Sequence, residues 1–144
     1  MMLSDVRDYV KGLKLSKHIY MGKLDAKEEE SIGVYNSKHS RPFKTALGGA
    51  ALQSYGIKQV TLLVHWNESF RETEAAAERL FHALTQARET MVNGVCIKFI
   101  QPLTDGPVDV GTDEAGIFEM VIEAAVIYEK EQIHEKIDGS ISGI

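Results

Sequence analysis

The stretch DEAGIFEMVIEAAVIYEK, running from Asp113 to Lys130, sets an acid every few residues into an otherwise apolar run. Read as a strand, its even positions Phe118, Met120, Ile122, Ala124, Val126 and Tyr128 make one wholly apolar face. The odd positions then alternate Glu119, Glu123 and Glu129 with Ile117, Val121, Ala125 and Ile127. Read as a helix, Ile117, Met120, Val121, Ala124, Ile127 and Tyr128 share a stripe, but Phe118, Ile122 and Val126 fall off it. Periodicity leans to the strand and leaves the helix open. On the strand reading the acid-dotted face is neither a dry core nor a plainly solvated surface. Such a face suits a subunit contact, and equally a sheet face covered at one end by a helix.

Moving back from this block, Val108 to Gly111 and the Thr104-to-Pro107 turn read as an irregular connection. Val95 to Pro102 reads as a strand entered through the turn Asn93-Gly94. The clearest helix precedes it. Asn67 or Ser69 can cap it, Glu72 stands three after Ser69 as in a capping box, and Phe70, Ala77, Leu80, Phe81 and Leu84 share one face. It is expected to run to about Arg88 or Glu89. Ile57 to Trp66 is rich in β-branched residues and reads as a buried strand, and Ser31 to Asn36 as another. His18 to Leu24 is a short aromatic piece, followed by the charged cluster Asp25 to Glu30, most simply a solvated turn. Ser4 to Leu15 reads as an amphipathic helix capped by Ser4, with Leu3, Val6, Tyr9, Val10 and Leu13 at helical spacing.

Composition bounds what such a chain can do. Its 144 residues fit one domain, which at this length buries roughly two thirds of its unfolded surface. Hydrophobic residues make up 44% and charged residues 26%, and no apolar run approaches the ~20 residues of a membrane helix. The N-terminus lacks the apolar block of a secretory signal, so the protein is expected to stay where it is made. The single cysteine, Cys96, rules out a disulfide within the chain and reads as a small core hydrophobe. A formal net charge of -5 argues against broad binding to nucleic acid.

Residues that carry chemistry are sparse. The histidines His18, His39, His65, His82 and His134 stand at no zinc-ligand spacing, and His65 beside Trp66 reads as packed and hydrogen-bonded. No serine sits in a nucleophile elbow, and Gly48-Gly49 is not followed by the Lys-Ser/Thr pair of a phosphate loop. The sequence therefore gives no catalytic residue, no cofactor site and no metal site. Glu119 and Glu123 share a strand face without an evident cleft and read as rim charges. The long, mostly irregular segment from Ser37 to Gly56 is the first place to look for contacts. There Lys38, Arg41 and Lys44 gather around Phe43, forming either a solvated loop or a docking point for an acidic partner or a nucleic-acid backbone.

The order of these pieces carries a resemblance. The N-terminal helix, the A-L-G-G of Ala46 to Gly49, the S-Y-G of Ser54 to Gly56, the strand I-K-Q-V-T-L-L-V, an alanine-rich helix and the closing acid-dotted block together resemble the small minor capsid or tail terminator proteins of long-tailed bacteriophages. The match covers roughly Leu3 to Lys130. The resemblance implies an α/β (α+β) domain over residues 1–130: a mixed or antiparallel sheet of about four strands, packed with an N-terminal helix and one long central helix. It also decides in favour of a strand for the opening stretch. A polar tail, 131–144, lies outside it and is expected to fray or to await a partner.

The implied function is structural, with no enzymatic activity. The chain is expected to form a homo-oligomeric ring, of six copies, that caps the tail tube, stops its polymerisation and joins the head-tail connector. Its place is then the neck of a virion or phage-like tail, assembled in the bacterial cytoplasm, with DNA passing through the ring and no specific nucleic-acid or membrane binding. Lys38, Arg41, Phe43, Lys44, Glu119 and Glu123 are the candidate ring or partner contacts. The alternatives are another neck or tail-completion protein and, from a different class, a small hydrolase or ligand-binding domain using the long loop as a lid.

Overall fold

Residues 1–23, 28–38 and 54–130 are described in the computed structural model. Helix α1, Leu3–Gly12, turns Val6, Tyr9 and Val10 inward, as their spacing requires. Its cap is Met2 rather than Ser4: the backbone N–H of Met2 donates to Asp5 Oδ2 at 2.8 Å. A carboxylate thus satisfies an amide at the helix start, where negative charge also suits the dipole. The helix stops where Lys14 enters the left-handed region, with φ of 57°, and its N–H returns to the carbonyl of Lys11.

Strands β1, His18–Met21, and β2, Ser31–Asn36, pair in parallel. β2 then pairs antiparallel with β3, Tyr55–His65. Helix α2, Phe70–Thr85, follows, and its cap is Ser69, whose Oγ accepts from the N–H of Glu72 at 3.2 Å. It buries Thr73, Ala76, Ala77, Leu80 and Leu84, whereas Phe70 stays exposed and stacks on Phe118 at 5.4 Å between ring centroids. α2 ends earlier than its apolar pattern suggested. No glycine or proline marks the stop; Thr85 Oγ1 donates to the carbonyl of His82 and Arg88 donates to those of Thr85 and Ala87.

The residues expected to finish that helix begin β4, Arg88–Val92. β4 turns through Asn93-Gly94, both at positive φ, into β5, Val95–Pro102. This is the two-residue hairpin that an Asn-Gly pair favours. β6, Val108–Thr112, replaces the irregular connection expected there, and the opening stretch forms β7, Phe118–Glu129. The sheet among the described residues therefore has seven strands, not about four, in the order β1-β2-β3-β7-β5-β4 with β6 also on β7. The fold is α+β, and the sheet is mixed because only the β1–β2 pair is parallel.

β7 is the central strand. One of its edges pairs along its length with β3, and the other is shared by β5 and β6. Val60, Leu62 and Val64 of β3 stand opposite Ala124, Ile122 and Met120 of β7, and all six are buried. They form one core with the inward residues of both helices and with Ile32 and Val34. α1 touches β1, β2 and also β4 at the far end of the strand order, so the sheet curls around its helices. Gly56 belongs to this inner side: a Cβ there would lie 2.3 Å from Cζ of Tyr128, so the bare backbone lets that ring cross over β3.

Candidate functional site

Because side chains alternate along a strand, the residues between the core positions project to the opposite, outer face. Register brings Tyr35 of β2, Thr61 and Leu63 of β3, and Glu123 and Val121 of β7 into rows there. Further along, Ile57 lies opposite Ile127, which in turn faces Phe99 of β5. Most of these side chains are half-buried; Tyr55 and Phe99 are exposed at 43% and 40%. The acid-dotted face of the closing strand is thus a real surface in the fold, apolar in bulk and interrupted by charge.

Two grooves run over this face. One, of about 560 Å³, is lined by Tyr35, Lys38, Thr61, Leu63, Val121 and Glu123, with Leu3, Gly22 and Asn36 at its sides. The other, of about 460 Å³, is lined by Tyr55, Ile57, Phe99 and Ile127 together with Arg88, Glu89 and Lys98. Lys98 is tied to Glu89 at 2.8 Å, and this pairing raises the ammonium's affinity for its proton while holding the Glu89 carboxyl below the usual range. A third concavity, of about 700 Å³ under the α1–β1 loop, mixes Lys11, Lys14 and Lys17 with Glu29 and Glu30 and so presents no single sign of charge.

Of the residues singled out in the sequence, Lys38 and Glu123 come together on the wall of one groove. Glu123 accepts a hydrogen bond from Thr61 Oγ1 at 3.2 Å, whereas Glu119 is engaged inside the fold by His65 Nδ1 at 2.9 Å. Tyr35 holds its phenolic proton more tightly than usual, first through burial and second through the charge of Glu119. Arg41, Phe43 and Lys44 lie outside the described residues. Tyr55, Phe99, Arg88 and Lys98 were not foreseen as part of this surface, since only the pairing of β3 and β5 with β7, and of β4 with β5, brings them to it.

Cys96 departs from the core role expected of it. It is half-buried on β5, its Sγ lies 3.6 Å from Glu89 Oε2, and burial followed by the glutamate's charge pushes its thiol up. That environment disfavours a thiolate nucleophile. His65 is packed and hydrogen-bonded at the strand end, as its position beside Trp66 suggested. Among the described residues no group of His, Cys, Asp and Glu is arranged to hold a metal ion.

A family model described as bacteriophage tail terminator protein matches residues 8–130, which takes in all seven described strands and the second half of α1. The chain belongs to the bacteriophage tail terminator family. A comparison with curated proteins finds no match. Membership makes the chain a phage tail structural protein, with the virion tail as its location. The matched span runs through β7, so the strands that carry the outer face lie within the part of the chain matched to the tail terminator family. No helix among the described residues of this tail terminator is long and apolar enough to cross a membrane.

Proposed function

We propose that the chain acts as a ring of identical copies that caps the finished tail tube, ends its polymerisation and offers the head-joining surface on its other side. Its role is assembly rather than chemistry, and six copies around a channel wide enough for DNA is the arrangement that the family resemblance favours. The observation that carries this reading is the outer face, apolar yet charge-bearing, on the central strands of a tail terminator domain. Isolated apolar grooves of this kind are what subunit contacts cover.

The edges of the sheet are poor alternatives as contacts. β1 is four residues long with Lys17 and Lys23 close to its ends. β6 bulges between Asp109 and Gly111, and Asp109 Oδ1 accepts the N–H of Gly111 at 2.9 Å. β4 carries Arg88 and a left-handed Glu89. Shortness, lysines and bulges are devices that blunt edge-to-edge pairing. In a closed ring each copy presents two unlike patches. The outer face, with Glu119, Glu123 and the Lys38 that shares its groove, is assigned to one patch, and the segment holding Arg41, Phe43 and Lys44 to the other.

A ring that fits the tube on one side and offers no copy of the tube surface on the other ends the polymer. Negative-stain images of the purified chain, with and without tail tubes, test this. Rings or capped tube ends are expected, and Val121→Lys should abolish them while leaving the monomer folded. Binding to a head-side adaptor but never to tubes would instead make the chain a different neck protein of the same architecture.

A further inference from the structure

One buried polar atom among the described residues has no hydrogen-bond partner: Nε2 of His65. The ring is 1% exposed, and its other nitrogen, Nδ1, lies 2.9 Å from Glu119 Oε2. A carboxylate oxygen accepts, so Nδ1 must donate. Nε2 faces Asp113 Oδ2 at 3.7 Å, again an acceptor. With a single ring proton, the lone pair of the buried Nε2 would face a carboxylate oxygen, and the desolvation of that nitrogen would go uncompensated.

Among the described residues no other donor reaches Nε2. Asp113 Oδ1 accepts the N–H groups of Ala115 and Ile117 at 2.8 and 2.9 Å, so this carboxylate already works as an acceptor that shapes its loop. From β2, Ser31 stands opposite His65, but its hydroxyl donates to the carbonyl of Glu28 at 2.7 Å. Tyr35, also on β2, feels the charge of Glu119. Among the described residues no lysine or arginine pairs with Asp113 or Glu119, so the imidazole is the group available to balance two carboxylates.

We propose that His65 carries a proton on both ring nitrogens in the folded chain, and as an imidazolium latches the 113–117 loop, through Asp113, to Glu119 on the central strand. The latch links segments far apart in sequence at the end of the sheet where β6 hands over to β7. All three side chains lie within one chain, so the test is read on the single chain, although Glu119 is also assigned to the outer-face patch.

Nitrogen-15 NMR of the imidazole ring in the full chain at neutral pH provides the test. Two protonated nitrogens are expected in the natural chain. In Asp113→Asn the carboxamide can donate to Nε2, so the ring should show one protonated and one bare nitrogen. Amide exchange at Ala115 and Ile117 should then quicken by about tenfold or more, as befits the loss of a close ion pair that holds Asp113. A bare Nε2 in the natural chain, or the same ring signature with and without Asp113, overturns the proposal. His65→Gln provides a second route if Asp113→Asn does not fold: unchanged exchange at Ala115 and Ile117 in that variant also overturns it.

Discussion

Two neighbouring residues on β7 should respond to truncation in opposite ways. Ile122 is fully buried opposite Leu62, whereas Val121, one position earlier, is half-buried on the outer face. Ile122→Ala removes three methyl or methylene groups from the core, worth about 2.4 kcal/mol in transfer free energy at ~0.8 kcal/mol each. The cavity left behind adds roughly 1–2 kcal/mol, giving a loss of about 3–4 kcal/mol, inside the range of ~2–5 kcal/mol for such truncations. At this chain length that is a fall in Tm of very roughly 10–15 °C. Val121→Ala removes two groups that are already half in water, so the loss should stay below about 1 kcal/mol.

Urea denaturation followed by the fluorescence of Trp66, the one tryptophan and 7% exposed, measures both changes directly. Under the assembly reading, Val121→Ala should weaken ring formation despite its small effect on the monomer, and Ile122→Ala should lower stability first. Near-equal losses for the two variants would refute the register on which the inner and outer faces are defined. So would an Ile122→Ala loss below about 1 kcal/mol, the level expected of a surface site.

Further expectations concern the supports of this sheet. Gly56→Ala should displace Tyr128 and destabilise by about 1–3 kcal/mol; in a Tyr128→Ala background the same change should cost markedly less, and strict additivity in the double-mutant cycle would show that the two do not touch. The Asp5 carboxyl is held below the usual aspartate range by the Met2 N–H first and by Asn93 second, and Asp8 likewise by Asn93 first. A lowered folded value means that the stabilisation is present above the unfolded aspartate value of about 3.9 and disappears as pH falls through the folded value. Asn93→Ala should therefore be less stable than the natural chain at neutral pH, with the gap shrinking as pH falls below the ordinary aspartate value of about 3.9; a gap independent of pH would mean that Asn93 acts by packing alone.

Much of the molecule was legible in the residues themselves. Short-range signals are written locally: the helical spacing of Val6, Tyr9 and Val10, the Ser69 cap with Glu72 behind it and the β-branched run of β3 all fold as their patterns require, whereas the apolar even positions of β7 leaned to a strand without deciding it. Asn93-Gly94 signalled its turn because both residues tolerate positive φ. The acid-dotted positions of β7 likewise announced a face unlike a core.

What the sequence could not carry was pairing. β1, β4 and β6 are four or five residues long, too short for any period to declare itself, and they exist as strands because distant partners complete their hydrogen bonds. α2 stops at Thr85 because side chains from the next turn satisfy its carbonyls, a contact that no breaker residue advertises. Tertiary structure alone gave β7 two paired edges, placed Phe99 and Tyr55 beside it, and set His65 between Asp113 and Glu119. Local chemistry thus marked the two helices and the strands β2, β3 and β5, and which side of each helix is apolar. The arrangement of charge and apolar surface that a partner would meet was decided only when the chain closed on itself, since register between remote strands depends on the whole core being packed at once.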